Sequence, residues 1–248
     1  MDFSANALVL AEHTVGDYDK RLELLCEGIG RIGVWAPGAK RVKSPLLAAC
    51  APFCYGHYTF RQKGDRITLR SAELQESFFA LWQDLEYLAL AGYLAELCRT
   101  LCMERQPEDL LLRLTLNALF AAAERRAPPG RIKAAYELRA LSESGYLPEL
   151  AHCVACGREQ GLCAFSPLQG GLLCADCAQR EPTAVPAAPP VVEAMRFLSG
   201  CDPRRLCAFT LPDAPQRSLE EISEAYTLST LGHSPKTLLF YRQMQTIE

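Results

Sequence analysis

The sequence predicts an α+β protein of several domains, with strands first and helices after them. Two observations predict this class. Before about Glu76 the apolar residues form short runs punctuated by glycine, as in strands, and after it they recur at helical spacing. A third observation, two Cys-x-x-Cys pairs between residues 150 and 180, predicts a small metal-binding insertion among the helices. The 248 residues, 49% of them apolar, suffice for a sizeable buried core.

The N-terminal part reads as five short strands between residue 7 and about residue 73. Gly28 and Gly30 separate two of the apolar runs, and Lys63-Gly64-Asp65 forms another turn. A small antiparallel sheet would leave unpaired edges, so closure into a barrel of the OB type is the natural solution. We therefore assign residues 1–75 to an OB-fold domain that binds nucleic acid.

Helices follow the predicted barrel. Two amphipathic runs are broken at Gln106-Pro107, a third ends at Gly145, and further short helices lie near the C-terminus, one of them starting around Ser218. Residues 181–190 are rich in proline and alanine and predict a stiff connector that packs little. The resulting division is a helical domain of residues 76–149 and 181–248, with a zinc finger of residues 150–180 inserted in it.

The inserted segment carries the most specific motif of the chain. Cys153-Val-Ala-Cys156 is followed, seventeen residues later, by Cys174-Ala-Asp-Cys177. Two such pairs at this separation are typical of a site in which four thiolates bind one Zn²⁺ in a tetrahedron. Because protein ligands fill all four positions, the predicted zinc is structural.

Alternative interpretations of this segment are four buried reduced cysteines, a catalytic metal site, or a redox pair. The paired spacing makes each of them less favourable. His152 and Cys163 lie nearby, but each would have to displace a well-spaced cysteine, so we expect neither to be a ligand. The other cysteines, including Cys98 and Cys102 on a predicted helix, are expected to be core residues.

Charge is concentrated in the predicted barrel. Residues 28–70 contain eight basic residues and one acidic residue, a local net charge of +7, whereas the whole chain has a net charge of −3. The densest group is Lys40, Arg41 and Lys43. Such a segment indicates binding to a polyanion through its phosphates, and exposed rings could stack on bases. The candidate rings, part of which we expect to be core, are Trp35, Phe53, Tyr55, Tyr58 and Phe60.

No motif of an enzyme active site is present. The sequence has no P-loop, no GxSxG and no HExxH, and its four histidines are scattered. No apolar run is long enough for a membrane-spanning helix, and the start lacks the features of an export signal. We therefore expect a non-enzymatic, cytoplasmic protein whose cysteines are thiols or metal ligands.

The order of these motifs resembles the bacterial RecO family of recombination mediators. The resemblance covers essentially the whole chain, through the segments GAKRVKSPLLAACAPF, AHCVACG, GGLLCADC and LGHSPKTLLFYRQM. It implies an OB barrel, a helical domain and a zinc-finger insertion. It also implies a protein that binds single- and double-stranded DNA, anneals complementary strands and, with RecR, helps RecA load on DNA coated by single-strand binding protein.

The resemblance further implies partners and site residues. The partners would be RecR, the C-terminal tail of the single-strand binding protein and, indirectly, RecF. By position, Lys40, Arg41 and Lys43 match the family's DNA-contacting loop. Further candidates are Lys20, Arg21 and Arg31, although the family often has Ser-Asp before an arginine where this chain has Asp17-Tyr-Asp-Lys-Arg21.

Two other classes of function remain open from the residues alone. One is an RNA-binding or translation-associated OB protein, which parallel RNA and DNA titrations would distinguish. The other is an interaction scaffold whose basic loop binds an acidic protein. Such a scaffold would bind no oligonucleotide even at low salt.

Overall fold

A computed structural model describes residues 1–245 of the chain. Two units are present: Met1–Glu124 with the C-terminal segment from Phe240, and Arg125–Leu239. Within the described residues, no helix combines the length and apolar character needed to cross a membrane.

Five strands close into a barrel in the first unit. They are β1 (Asp2–Val15), β2 (Asp19–Cys26), β3 (Gly30–Ala36), β4 (Tyr55–Lys63) and β5 (Arg66–Glu76). Their order around the barrel is β1-β2-β3-β5-β4, and β1 pairs with β4 to complete the circle. All pairs are antiparallel except β3 with β5, which meet in parallel where Trp35 lies opposite Thr68. The predicted OB-type barrel is confirmed.

Side-chain alternation fills the barrel interior. Leu22 and Leu24 of β2 and Val34 of β3 are fully buried, while their strand neighbours point outward. Tyr58 and Phe60 of β4 belong to the same core, and the Tyr58 hydroxyl donates a hydrogen bond to the Ala49 carbonyl at 2.8 Å. These two rings are therefore structural and do not face a ligand.

Two helices of the first unit pack beside the barrel. They are α1 (Leu85–Leu101) and α2 (Asp109–Ala123), and a short 3₁₀ turn, Phe79–Gln83, precedes them. The sequence places the helical run at Glu76, but α1 begins later because the Asp84 carboxylate accepts hydrogen bonds from the backbone N–H groups of Glu86 and Tyr87. Helix α1 packs against β1 and α2.

The β2–β3 turn lies directly against the chain that joins α1 to α2. Gly28 N–H donates to the Asp109 carboxylate at 2.7 Å, and Arg105 N–H donates to the Arg31 carbonyl at 3.0 Å. Gly30, with φ of 91°, is so close to the Gln106 backbone that a Cβ there would lie 1.8 Å from the Gln106 carbonyl oxygen. Only glycine fits this approach.

The remaining elements begin with α3 (Pro129–Glu143). The helices that follow are α4 (Ala175–Ala178), α5 (Pro189–Gly200), α6 (Asp213–Leu231) and α7 (Lys236–Gln245), and the strands are β6 (Leu162–Ser166), β7 (Gly171–Cys174) and β8 (Val185–Pro186). In the second unit, α3 packs against α5 and α6. As predicted, Gly145 caps the C-terminal end of α3. It has φ of 90°, and Tyr146 N–H donates to the Leu141 carbonyl at 2.9 Å, as in a Schellman motif.

Two local predictions are wrong. Helix α6 starts at Asp213, not near Ser218, and the Ser218 hydroxyl donates instead to the Pro186 carbonyl. The proline-rich segment does not pack as little as predicted: Val185–Pro186 forms the third strand of the sheet β7-β6-β8, and Ala187 is fully buried. Long-range pairing with β6, which local composition does not encode, orders this segment.

Candidate functional site

The four predicted zinc ligands converge on one point. The sulfur atoms of Cys153, Cys156, Cys174 and Cys177 all lie within 4.8 Å of one another, and the Cys156 and Cys174 sulfurs are 3.7 Å apart. A Zn–S bond of about 2.3 Å gives a tetrahedron with sulfur–sulfur edges of about 3.8 Å. The cluster is therefore of the size that a tetrahedral Zn²⁺ requires.

Tight backbone turns hold the two cysteine pairs. In the first, Gly157 adopts φ of 76° and donates its N–H to the Cys153 carbonyl at 2.8 Å, while Cys153 N–H donates to the Arg158 carbonyl at 2.8 Å. In the second, Cys174 ends β7 and immediately precedes α4, so one helical turn separates it from Cys177. A turn and a helix start thus aim backbone N–H groups at the sulfurs.

These N–H groups change the acidity of the thiols. Burial raises the pKa of Cys153, but hydrogen bonds from backbone N–H groups, that of Cys174 first, outweigh it and lower the pKa to about 6. The N–H of Cys177 lowers the pKa of Cys174. Hydrogen bonding with the Cys174 and Cys156 sulfurs raises the pKa of Cys177 to about 12. Four adjacent thiolates repel one another, and a divalent cation offsets that repulsion.

His152 and Cys163 are not part of this group. The His152 ring faces Glu149, with 3.4 Å between its Nδ1 and the carboxylate, and Cys163 is exposed on β6. Among residues 1–245, no other set of three or more Cys, His, Asp or Glu side chains converges in this way. Cys98 and Cys102 lie 3.9 Å apart between their sulfurs and are buried in the first unit.

Two of the predicted DNA-binding residues are neutralised by carboxylates. Lys20 is buried, forms an ion pair with Glu12 and donates to the Cys50 carbonyl at 3.2 Å. Arg31 is half-buried and pairs with Glu23 at 3.2 Å. Neither of these predicted DNA-binding residues presents a free charge to solvent.

Six other basic residues of the first unit form no ion pair with any described residue. Among the residues that the structure describes, Arg21, Lys40, Arg41 and Lys43 form no ion pair, and Arg66 and Arg70 of β5 behave in the same way. The side chains of Arg21, Arg41, Lys43, Arg66 and Arg70 are exposed, and that of Lys40 is half-buried. We call these six residues the cationic set.

Part of the cationic set surrounds a surface cavity. Arg41 and Lys43, from the loop after β3, and Arg70, from β5, line a cavity of about 410 Å³ together with Ser44. Three positive charges and a hydroxyl around one concavity match the chemistry of a phosphate group. The sequence did not single out Arg70, because its place beside the loop depends on the register of β5 in the closed barrel.

Two arginines of the cationic set cover aromatic rings. The Arg41 guanidinium lies 5.2 Å from the centre of the Tyr18 ring, and the Arg66 guanidinium lies 4.9 Å from that of Trp35. The backbone N–H of Lys40 also donates to the Tyr18 carbonyl at 2.9 Å. This bond ties the loop that carries Lys40, Arg41 and Lys43, the basic loop, to the β1–β2 turn. No sequence pattern points to Tyr18, because it stands alone between acidic residues in a turn.

Known proteins match the chain over nearly its whole length. Residues 1–78 match the family model described as Recombination protein O N terminal, and residues 82–239 match Recombination protein O C terminal. The chain belongs to the RecO family.

Curated relatives agree with the family models. The DNA repair protein RecO of Desulforudis audaxviator is 35% identical over 244 residues, which cover 98% of this chain and 97% of the relative. That of Bacillus subtilis is 30% identical over 241 residues, covering 97% and 94%. The family resemblance inferred from the sequence motifs is thereby confirmed.

Proposed function

We propose that this chain is a non-enzymatic mediator of DNA repair and recombination. It binds single- and double-stranded DNA through the barrel, anneals complementary strands and, with RecR, helps load RecA on DNA coated by single-strand binding protein. The observation that carries the proposal is the cationic set on the barrel of a chain that belongs to the RecO family throughout. The DNA repair designation of the curated relatives supports it.

The annealing mechanism needs no chemical step. Two complementary strands repel each other through their phosphates, and a surface that neutralises phosphates lowers this barrier. Contacts to phosphate carry no sequence information, so they leave base edges free to pair. In the proposed role, Lys40, Arg41 and Lys43 bind phosphates, Arg21 and Arg70 extend the same surface, and the bases supply the specificity.

The metal in this proposal is one structural Zn²⁺ per chain, held by Cys153, Cys156, Cys174 and Cys177. Once bound, the ion would cross-link the two cysteine turns. A site with four protein ligands has no open position for substrate, so its contribution is to folding.

The proposed partners, besides DNA, are RecR, the C-terminal tail of the single-strand binding protein and, indirectly, RecF. The proposed location is the cytoplasm, in association with the nucleoid. These proposals rest on family membership.

A salt titration of DNA binding tests the proposal. The triple variant Lys40→Ala, Arg41→Ala, Lys43→Ala should bind single-stranded DNA more weakly, with the slope of log K against log salt concentration shallower by about 2, because each lost phosphate contact changes it by about 0.7. The melting temperature should stay nearly unchanged, since the alanines replace exposed or half-exposed side chains.

Arg61→Ala is the matched control. Arg61 is a barrel cation, but two hydrogen bonds of 2.9 Å already pair it with Asp2, so its loss should change the slope little. Wild-type affinity in the triple variant would refute the site. Preferential binding to RNA in a parallel titration would refute the DNA assignment, and an annealing assay on protein-coated strands, with and without RecR, tests the mediator role.

A further inference from the structure

The outer face of β2, β3 and β5 has a single aromatic ring at its centre. Trp35 of β3 lies opposite Arg21 on β2 and opposite Thr68 on β5, and its ring is only half-buried. Tyr58 and Phe60 of β4 differ from it, since both rings lie fully inside the barrel. Trp35 is therefore placed to meet a ligand that crosses the three strands.

Arginines that form no ion pair with any described residue flank this ring on both sides. The Arg66 guanidinium covers the ring at 4.9 Å from the ring centre, and Arg70 lies four residues further along β5. On the other side, Arg21 reaches across Gly33, where its Nη2 atom lies 3.6 Å from the position that a Cβ would occupy. Among the described residues, none of these three arginines forms an ion pair.

Further along β2 and β3, the charges on the same face are paired with one another. Glu23, next to Arg21 on that face of β2, pairs with Arg31 at 3.2 Å and with Arg99 at 3.3 Å, and Arg99 also pairs with Glu96 at 3.9 Å. The unneutralised part of the face is thus confined to the end that carries Trp35. Charge and aromatic surface coincide there, which is the combination that binds single strands through phosphates and bases together.

We propose that Trp35 is a stacking site for an unpaired nucleobase and that it makes this face selective for single strands over duplex. A base stacks on the indole ring in place of the Arg66 guanidinium, which then turns to a backbone phosphate, while Arg21 and Arg70 contact the phosphates on either side. Bases of a duplex are already stacked within the helix and do not reach the ring. This inference rests on the proposed DNA-binding function and adds a discrimination that the basic loop alone does not supply, because phosphates are common to both forms of DNA.

The test is Trp35→Leu, which keeps a smaller apolar side chain at this position but removes the aromatic face. It should weaken binding to a single-stranded oligonucleotide about tenfold, the loss expected for one stacked base. Affinity for a duplex of the same sequence should stay unchanged, and so should the salt slope for the single strand, since no cation is lost. Trp35→Phe should restore most of the single-strand affinity.

Trp82→Leu is the matched control. Trp82 is an exposed tryptophan of the first unit, but its ring packs against Phe53, 6.0 Å between ring centres, and not on this face, so its replacement should leave both affinities unchanged. In Trp82→Phe, Trp35 is the one remaining tryptophan of the two in the chain. Its fluorescence should be quenched by single-stranded DNA and not by duplex, and this readout does not depend on the folding of a Trp35 variant.

Two results would overturn the inference. One is equal loss of single-strand and duplex affinity in Trp35→Leu, and the other is no loss in either together with unquenched Trp35 fluorescence. In both cases the proposed function survives if the Lys40, Arg41, Lys43 triple variant still shows the shallower salt slope. If the wild-type chain binds no DNA, the proposed function itself fails.

Discussion

Gly30→Ala would place a methyl group 1.8 Å from the Gln106 carbonyl oxygen and 2.5 Å from its carbon. Both atoms belong to backbone, so no side-chain rotation relieves the contact. Gly30 also has φ of 91°, a conformation that L-residues rarely adopt. The substitution therefore tests whether the turn between β2 and β3 is fixed against the chain that leads into α2.

The expected loss has two parts. Forcing a side chain into the left-handed region costs roughly 1–2 kcal/mol. Crowding a packed contact costs about 1–3 kcal/mol more, because the backbone must shift. For a chain of this size, the combined loss should lower the melting temperature by about 5 to 15 °C.

Gly28→Ala separates the two parts within the same turn. Gly28 has φ of 68°, but a Cβ there would meet nothing within 4 Å, so only the conformational part remains. Thermal unfolding followed by circular dichroism should show a clearly larger drop for Gly30→Ala. Equal drops for the two variants would show that the close approach to Gln106 is absent in solution.

Three further predictions concern the metal and the charges. Elemental analysis should find about one zinc per chain. Removal of the zinc by a chelator should increase hydrogen exchange in residues 150–180 while the barrel stays protected. Unchanged exchange in residues 150–180 after removal would contradict the structural role of the zinc. Lys20→Ala should destabilise the protein by about 1–3 kcal/mol, because the half-buried Glu12 carboxylate loses its hydrogen-bond partner. The salt slope of DNA binding should stay unchanged, and a shallower slope would return Lys20 to the binding surface. Arg70→Ala should make that slope shallower by about 0.7 for single-stranded DNA, and an unchanged slope would remove Arg70 from the phosphate cavity.

The barrel can be predicted from the sequence because patterns of neighbouring residues specify its hairpins. Glycine-bounded apolar runs define the hairpins, and the cost of open edges then demands closure. The parallel contact between Trp35 and Thr68 is different, since it joins strands separated by the long loop and by β4. That contact brings Arg66 beside Trp35, which explains why the pair was not visible in the sequence.

The sequence predicts which residues form the candidate sites, but not whether the charge of each one is neutralised by a neighbour. Spacing alone identified the four cysteines, because two short turns and a tetrahedral ion impose that spacing. Composition also found the positive charge of the barrel. It could not tell Lys20 from Arg41, because whether a cation is neutralised depends on Glu12, which a strand pairing brings alongside. The DNA-binding roles themselves remain predictions.

Strand β8 has a practical consequence for anyone who trims this protein. It lies after the cysteine segment yet completes the sheet through β6, with Ala164 opposite Pro186 and Phe165 opposite Val185. A deletion of residues 150–180 would keep β8 but discard its neighbour, leaving unsatisfied backbone groups and an apolar face just before α5. A zinc-free derivative is better made by replacing residues 149–187 as one piece, so that the excised segment takes its whole sheet with it.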